Sequence, residues 1–77
     1  MYYTSLDQLN INRNAKIINL NCNNTLRRRL LDLGFVKGSS IKAVFKSPTG
    51  DPIAYEIKNT ILALRKDDTK LINIVLD

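Results

Sequence analysis

One stretch of the chain has helical periodicity, and it is stopped at both ends. In Asn24-Thr-Leu-Arg-Arg-Arg-Leu-Leu-Asp-Leu-Gly-Phe-Val-Lys-Gly38, Leu26, Leu30 and Leu33 fall at i, i+4 and i+7 and make a single apolar stripe. Asn23 or Asn24 can cap the start by accepting from a backbone N–H two or three residues on. Gly34 suits the position just past the last turn, because it enters the left-handed region without a Cβ penalty. Phe35 is then placed to fold back onto Leu30. No other stretch makes a comparable helix, so most of the remaining apolar residues are left to strands.

The rest of the chain has the shorter period of strands. Residues 15–21 are β-branched and alternate Ile18 and Leu20 against Asn19 and Asn21. Ser40 to Lys46 alternates Ile41, Ala43 and Phe45 against Lys42, Val44 and Lys46. Residues 47–52 hold two prolines and a glycine and read as a loop. Residues 53–58 put Ile53, Tyr55 and Ile57 on a common face, Asn59 turns the chain, and Thr60 to Leu64 returns. Residues 67–70 suit one helical turn capped by Asp67, and residues 71–75 make a last strand. Ahead of all these, Thr4 or Ser5 can cap a turn that buries Leu6 and Leu9, while Tyr2 and Tyr3 are packing or mobile residues near a free end. The expected fold is mainly β: a single domain over residues 1–77, with five strands and one α-helix between strands 1 and 2. Short helical turns lie near both ends. Five strands leave two exposed edges unless they curl shut, so closure into a small barrel is expected. Leu26, Leu30 and Leu33 would plug one end of it.

Residue types narrow the chemistry. The 77 residues include no His and a single Cys. The commonest general base at neutral pH is therefore missing, and Cys22 has no His to activate it. Cys22 reads as a small, partly buried hydrophobe. Asp67 and Asp68 suit the positive end of a helix better than catalysis. One Cys and no His make no soft-metal site, and Gly34, Gly38 and Gly50 form no phosphate loop. Neither a catalytic residue, a metal ligand nor a cofactor is expected. No apolar run approaches the roughly 20 residues that cross a bilayer, and the start does not read as a signal peptide. The expected location is cytoplasmic.

What remains is charge. Twelve basic residues against seven acidic give +5, which either keeps a small domain soluble or favours an acidic partner. Arg27, Arg28 and Arg29 splay over about 200° of the helix, with Arg28 most exposed. Leu31 lies off the apolar stripe, between Arg27 and Arg28. It either docks a partner or packs beneath the N-terminal segment on Leu6 or Leu9. Arg27, Arg28 and Leu31 are the candidate partner-binding residues, together with Tyr55 on the barrel face. The alternative function is a small basic barrel that binds nucleic acid. Aromatic residues do not interleave with the basic ones as in single-strand readers, so nucleic acid is not the expected partner.

At this point the residues resemble a family. Leu26-Arg-Arg-Arg-Leu-Leu-Asp-Leu-Gly-Phe-Val-Lys-Gly38 is similar to the RRLxxLGhxxG helix of the ferrous iron transport protein A family, FeoA. Gly50-Asp-Pro52 looks like that family's G-x-P loop, Leu62-Ala-Leu-Arg65 like its haLR strand end, and Leu71-Ile-Asn-Ile74 like its terminal xIxV strand. Three positions depart from the pattern. Asn14 and Asn59 stand where the family has turn glycines, and Thr69 replaces a common Ala. Both asparagines are expected to adopt left-handed geometry. The resemblance implies an SH3-like barrel and a small, non-enzymatic, cytosolic accessory protein of bacterial ferrous iron uptake. It implies binding to the cytoplasmic GTP-binding part of the ferrous iron permease, FeoB, at the inner face of the membrane. The protein itself would have no membrane span and no resident iron.

Overall fold

The computed structural model describes residues 2–76. Six strands form among them: β1 (Tyr2–Ser5), β2 (Asn14–Leu20), β3 (Ser40–Lys46), β4 (Ile53–Ile57), β5 (Thr60–Leu64) and β6 (Ile72–Leu76). Helix α1 (Asn24–Asp32) connects β2 to β3, and the one-turn helix α2 (Lys66–Thr69) connects β5 to β6. A 3-10 turn, Leu6–Gln8, follows β1 and buries Leu6, with Leu9 behind it. The strands make one antiparallel sheet in the order β1-β6-β2-β3-β4-β5.

Two expectations change. There are six strands and not five, because Tyr2–Ser5 pairs with β6, Tyr2 opposite Leu76 and Ser5 opposite Asn73. Four residues with no buried side chain show no alternation to detect. The sheet is also not closed: β1 and β5 end it on opposite sides and do not pair. The core lies against the inner face of this curled, open sheet. Tyr55, Phe35, Leu6, Leu30, Ile72 and Ile74 are among its largest wholly buried members.

Two β-bulges decide which residues face that core. The β2–β6 register shifts between Ile17 and Asn19, so the inward side steps from Ile17 to Leu20 and Ile18 is left half-buried. The β3–β4 register shifts between Ala43 and Phe45. Ile41 and Ala43 are buried as expected, but Phe45 is turned out and is 63% exposed. An extra residue in a strand reverses the parity of everything after it, which is why strict alternation misassigned Phe45 and Ile18.

Helix α1 begins as its residues dictate, with the Asn23 side chain accepting from Leu26 N at 2.9 Å. At its end, Gly34 has φ 100°. The Phe35 amide donates to Leu30 O at 3.0 Å and the Gly34 amide to Leu31 O at 3.0 Å. This pair of bonds is the Schellman arrangement, and the contact between Phe35 and Leu30 accompanies it. The helix stops one residue before Leu33, which serves as its C-cap and is 38% exposed. The inward stripe is therefore Leu26, Leu30 and Phe35, not Leu26, Leu30 and Leu33.

The turns also differ in detail. Left-handed φ occurs at Asn12 (70°), Lys58 (48°) and Asn59 (64°), while Asn14 simply opens β2. Lys58 and Asn59 together form the two-residue turn joining β4 to β5, the primed geometry that matches strand twist. Helix α2 is capped from a distance. The Lys66 amide donates to Asp51 Oδ1 at 2.9 Å, and Asp67 sits inside the first turn. Asp51 reaches it from the loop between β3 and β4, and that loop is closed by Gly50 N to Ser47 O at 2.9 Å.

Two predictions follow from this packing. A Cβ on Gly34 would lie 2.9 Å from Lys58 Cδ, and the residue would still need positive φ. Gly34→Ala is expected to cost about 1–2 kcal/mol in chemical denaturation. Most of that loss should persist in a Lys58→Ala background, because the backbone term outweighs a flexible side chain. The second concerns Tyr55, whose hydroxyl is buried without a hydrogen bond of ordinary geometry. Burial pushes its phenol from 10.0 up to about 12; the adjoining Thr69 side chain lowers it, and the charges of Asp7 and Asp51 add to the rise. The raised native value means the stability it contributes is present below pH 10 and is lost as pH climbs through 12. The loss is at most about 2–3 kcal/mol. Tyr55→Phe should remove that alkaline component and stay within about 1 kcal/mol of the parent at pH 7, since no hydrogen bond is lost.

Candidate functional site

The sequence places three arginines on α1, and the structure gives them different work. Arg27 Nη2 donates to Leu20 O at 2.9 Å and Cys22 O at 3.3 Å. A guanidinium on two carbonyls is a charge-assisted clamp, and it ties the first turn of α1 to the end of β2. Arg28 and Arg29 are exposed and line a shallow trough with Asn24, Thr25 and Asp32. Among the described residues the one ion pair is Lys70–Asp67 at 3.8 Å, so Arg27, Arg28 and Arg29 are not ion-paired, although Asp32 shares the trough with Arg28 and Arg29.

One turn beyond Arg27 stands Leu31, 45% exposed. It does not pack under the N-terminal segment. Leu6 and Leu9 are buried in the core. Leu31 instead lines an open groove of about 410 Å³ between α1 and the end of β2. Ile18 and Leu20 line it from β2, Arg27 and Leu31 from the helix. Buried Phe35 also contributes, and Lys37 joins from the segment after the helix. The bulge in β2 leaves Ile18 free of the core and able to line the groove. The stop at Gly34 leaves Leu33 and Val36 partly exposed nearby, each at 38%. The groove holds two cations and no carboxylate among its lining residues.

Of the four residues expected to bind a partner, Arg27, Arg28 and Leu31 come together on this helix, Arg27 partly committed to holding it. Tyr55 does not join them. It is 0% exposed, at the centre of β4 with its ring in the core. Its place in an alternating strand marked it as inward, and it offers no docking surface. Ile18 and Lys37 were not anticipated. Ile18 had no signal, because a bulge leaves no mark in simple alternation. Cys22 is a free, buried thiol. Among the described residues, no group of three His, Cys, Asp or Glu could hold a metal ion. No helix among them is long and apolar enough to cross a membrane.

Comparison with known proteins agrees with this architecture. The profile of the FeoA domain matches residues 4–76. A Campylobacter jejuni protein named as an Fe(2+) transport protein A is 33% identical over 72 residues, spanning 94% of this chain and 97% of that one. A Porphyromonas gingivalis protein named as a fusion of Fe(2+) transport protein A with the Fe(2+) transporter FeoB is 32% identical over 71 residues. Those residues are 92% of this chain and 8% of the fusion. The solved structure of Stenotrophomonas maltophilia FeoA with zinc, described as a prokaryotic SH3 domain protein, superposes with a TM-score of 0.80 at 32% identity. It covers 96% of this chain and 89% of that one. The open six-stranded sheet is accordingly SH3-like.

The clamp made by Arg27 has a measurable consequence. Arg27→Ala leaves two carbonyls without their donor and is expected to cost about 1–2 kcal/mol. Arg28→Ala, one residue on and without a partner among the described residues, should stay within about 0.5 kcal/mol. Paired denaturation curves check the contrast.

Proposed function

The chain belongs to the FeoA domain family, and from that premise we propose that it is a non-enzymatic, cytoplasmic accessory of ferrous iron uptake. It binds and modulates the cytoplasmic GTP-binding part of the Fe(2+) transporter FeoB through the groove beside α1. The observation that carries this is the groove itself: exposed Leu31 beside an apolar wall, with Arg27 and Lys37 as its cations and no carboxylate in the lining. It suits a partner segment with an apolar residue flanked by acidic ones. That a relative carries both proteins in one chain supports FeoB as the source of that segment. Recruitment by FeoB would bring the protein to the inner face of the membrane.

The test uses the double variant Leu31→Ser with Arg28→Glu. Both side chains are exposed, so thermal stability should change little. Capture of the cytoplasmic part of FeoB should be lost and Fe(II) uptake depressed. Normal capture by the folded double variant would move the docking surface elsewhere. Binding to generic RNA that falls steeply with salt would instead favour a nucleic-acid partner.

A further inference from the structure

Strand β5 ends the sheet, and its two-residue turn determines which backbone groups face outward. Ile57 and Thr60 flank that turn as a directly bonded pair, and bonding alternates from there. Thr60, Leu62 and Leu64 turn their N–H and C=O toward β4. Ile61 and Ala63 turn theirs away, and among the described residues no other element supplies them a backbone bond. The strand Thr60-Ile-Leu-Ala-Leu64 has no charge and no proline, and its pairing with β4 runs without a bulge. Those are the usual devices that blunt a free edge. Beside Ala63 the outer face continues apolar, since Phe45 pairs with Ala54 and Ala54 with Ala63, whereas exposed Glu56 stands opposite Ile61 with Lys42 beyond it. Phe45 is 63% and Ile61 64% exposed.

Charge decides what can be added there. Antiparallel pairing that sets Ile61 opposite Ala63 of a second copy brings the Arg65 end of each copy beside the Lys58-Asn59 turn of the other. Each copy, moreover, carries +5. Self-pairing is opposed. The exposed cation at one end of the edge is Arg65, without an ion pair among the described residues; at the turn end, the stem of Lys58 leans back against Gly34. At the Arg65 end, the nearby acidic groups are engaged: Asp67 pairs with Lys70, and Asp51 accepts from the Lys66 amide.

We propose that the outer edge of β5 is a second docking site, which takes an extended segment of another protein as a seventh strand. The segment alternates apolar residues in its middle and carries a carboxylate at the end that lies beside Arg65. Main-chain bonds to Ile61 and Ala63 hold it, Ile61 and Ala63 meet its apolar side chains, and Arg65 sets its acidic end. This site is separate from the α1 groove and does not depend on that reading.

The test titrates the ¹⁵N-labelled protein with a blocked peptide of about nine residues, alternating valine and threonine between glutamates. The Ile61 and Ala63 amides should shift and become protected from exchange. A lysine-ended version should bind roughly tenfold more weakly or worse. Ala63→Pro should abolish binding while the fold persists, because this N–H is not used internally. Ala63→Lys serves the same purpose if the proline variant unfolds. The Leu31→Ser, Arg28→Glu variant should bind the peptide like the parent. No shift at Ile61 and Ala63, undiminished binding by the Ala63 variants, or dimerisation through β5 in sedimentation would each overturn the proposal.

Discussion

The hydrogen bond from the Phe35 amide to the Leu30 carbonyl governs the arrangement around α1. It forms only because Gly34 supplies a left-handed residue. With it, Phe35 replaces Leu33 as the third apolar anchor of the helix, and the chain turns toward β3. Without it, the chain would lose the turn that brings Phe35 back beside Leu30. The same bond leaves Leu33 and Val36 partly in solvent. The surface beside α1 thus depends on how the helix ends as much as on which residues it contains.

Much of this was readable in residue types, and the failures have one physical origin. Asn23 and Gly34 announced the two ends of α1, and Ile53, Tyr55 and Ile57 announced the inward face of β4. Caps and simple alternation are local rules. The bulges at Ile17/Asn19 and Ala43/Phe45 are not local, because they arise from registering one strand against another. They misplaced Phe45 and hid Ile18, a residue of the candidate site. Strand β1 escaped notice for a related reason, since its pairing with β6 supplies the order that its own residues do not show. Leu31 and Arg28 were legible as surface, whereas the clamping role of Arg27 required knowing where Leu20 O and Cys22 O end up.

Charge and burial are kept apart in this protein. The charged side chains lie outside the core, and the buried polar side chains Thr69 and Tyr55 are neutral at physiological pH. Basic groups border both the α1 groove and the β5 edge, so both surfaces favour acidic partners. They differ in how they hold them. The groove offers side chains to side chains, and the edge offers backbone to backbone. On the two proposals, the surfaces are separate and use different chemistry, so neither occupant would exclude the other.

The pairing of Tyr2 with Leu76 sets the first and last described residues side by side on β1 and β6. A tether attached at both ends would load this ladder crosswise, one hydrogen-bonded pair after another, and not along the strands. The domain would open like a zip at low force, with β1 peeling away first. A tether at a single end transmits no such load and leaves the sheet intact.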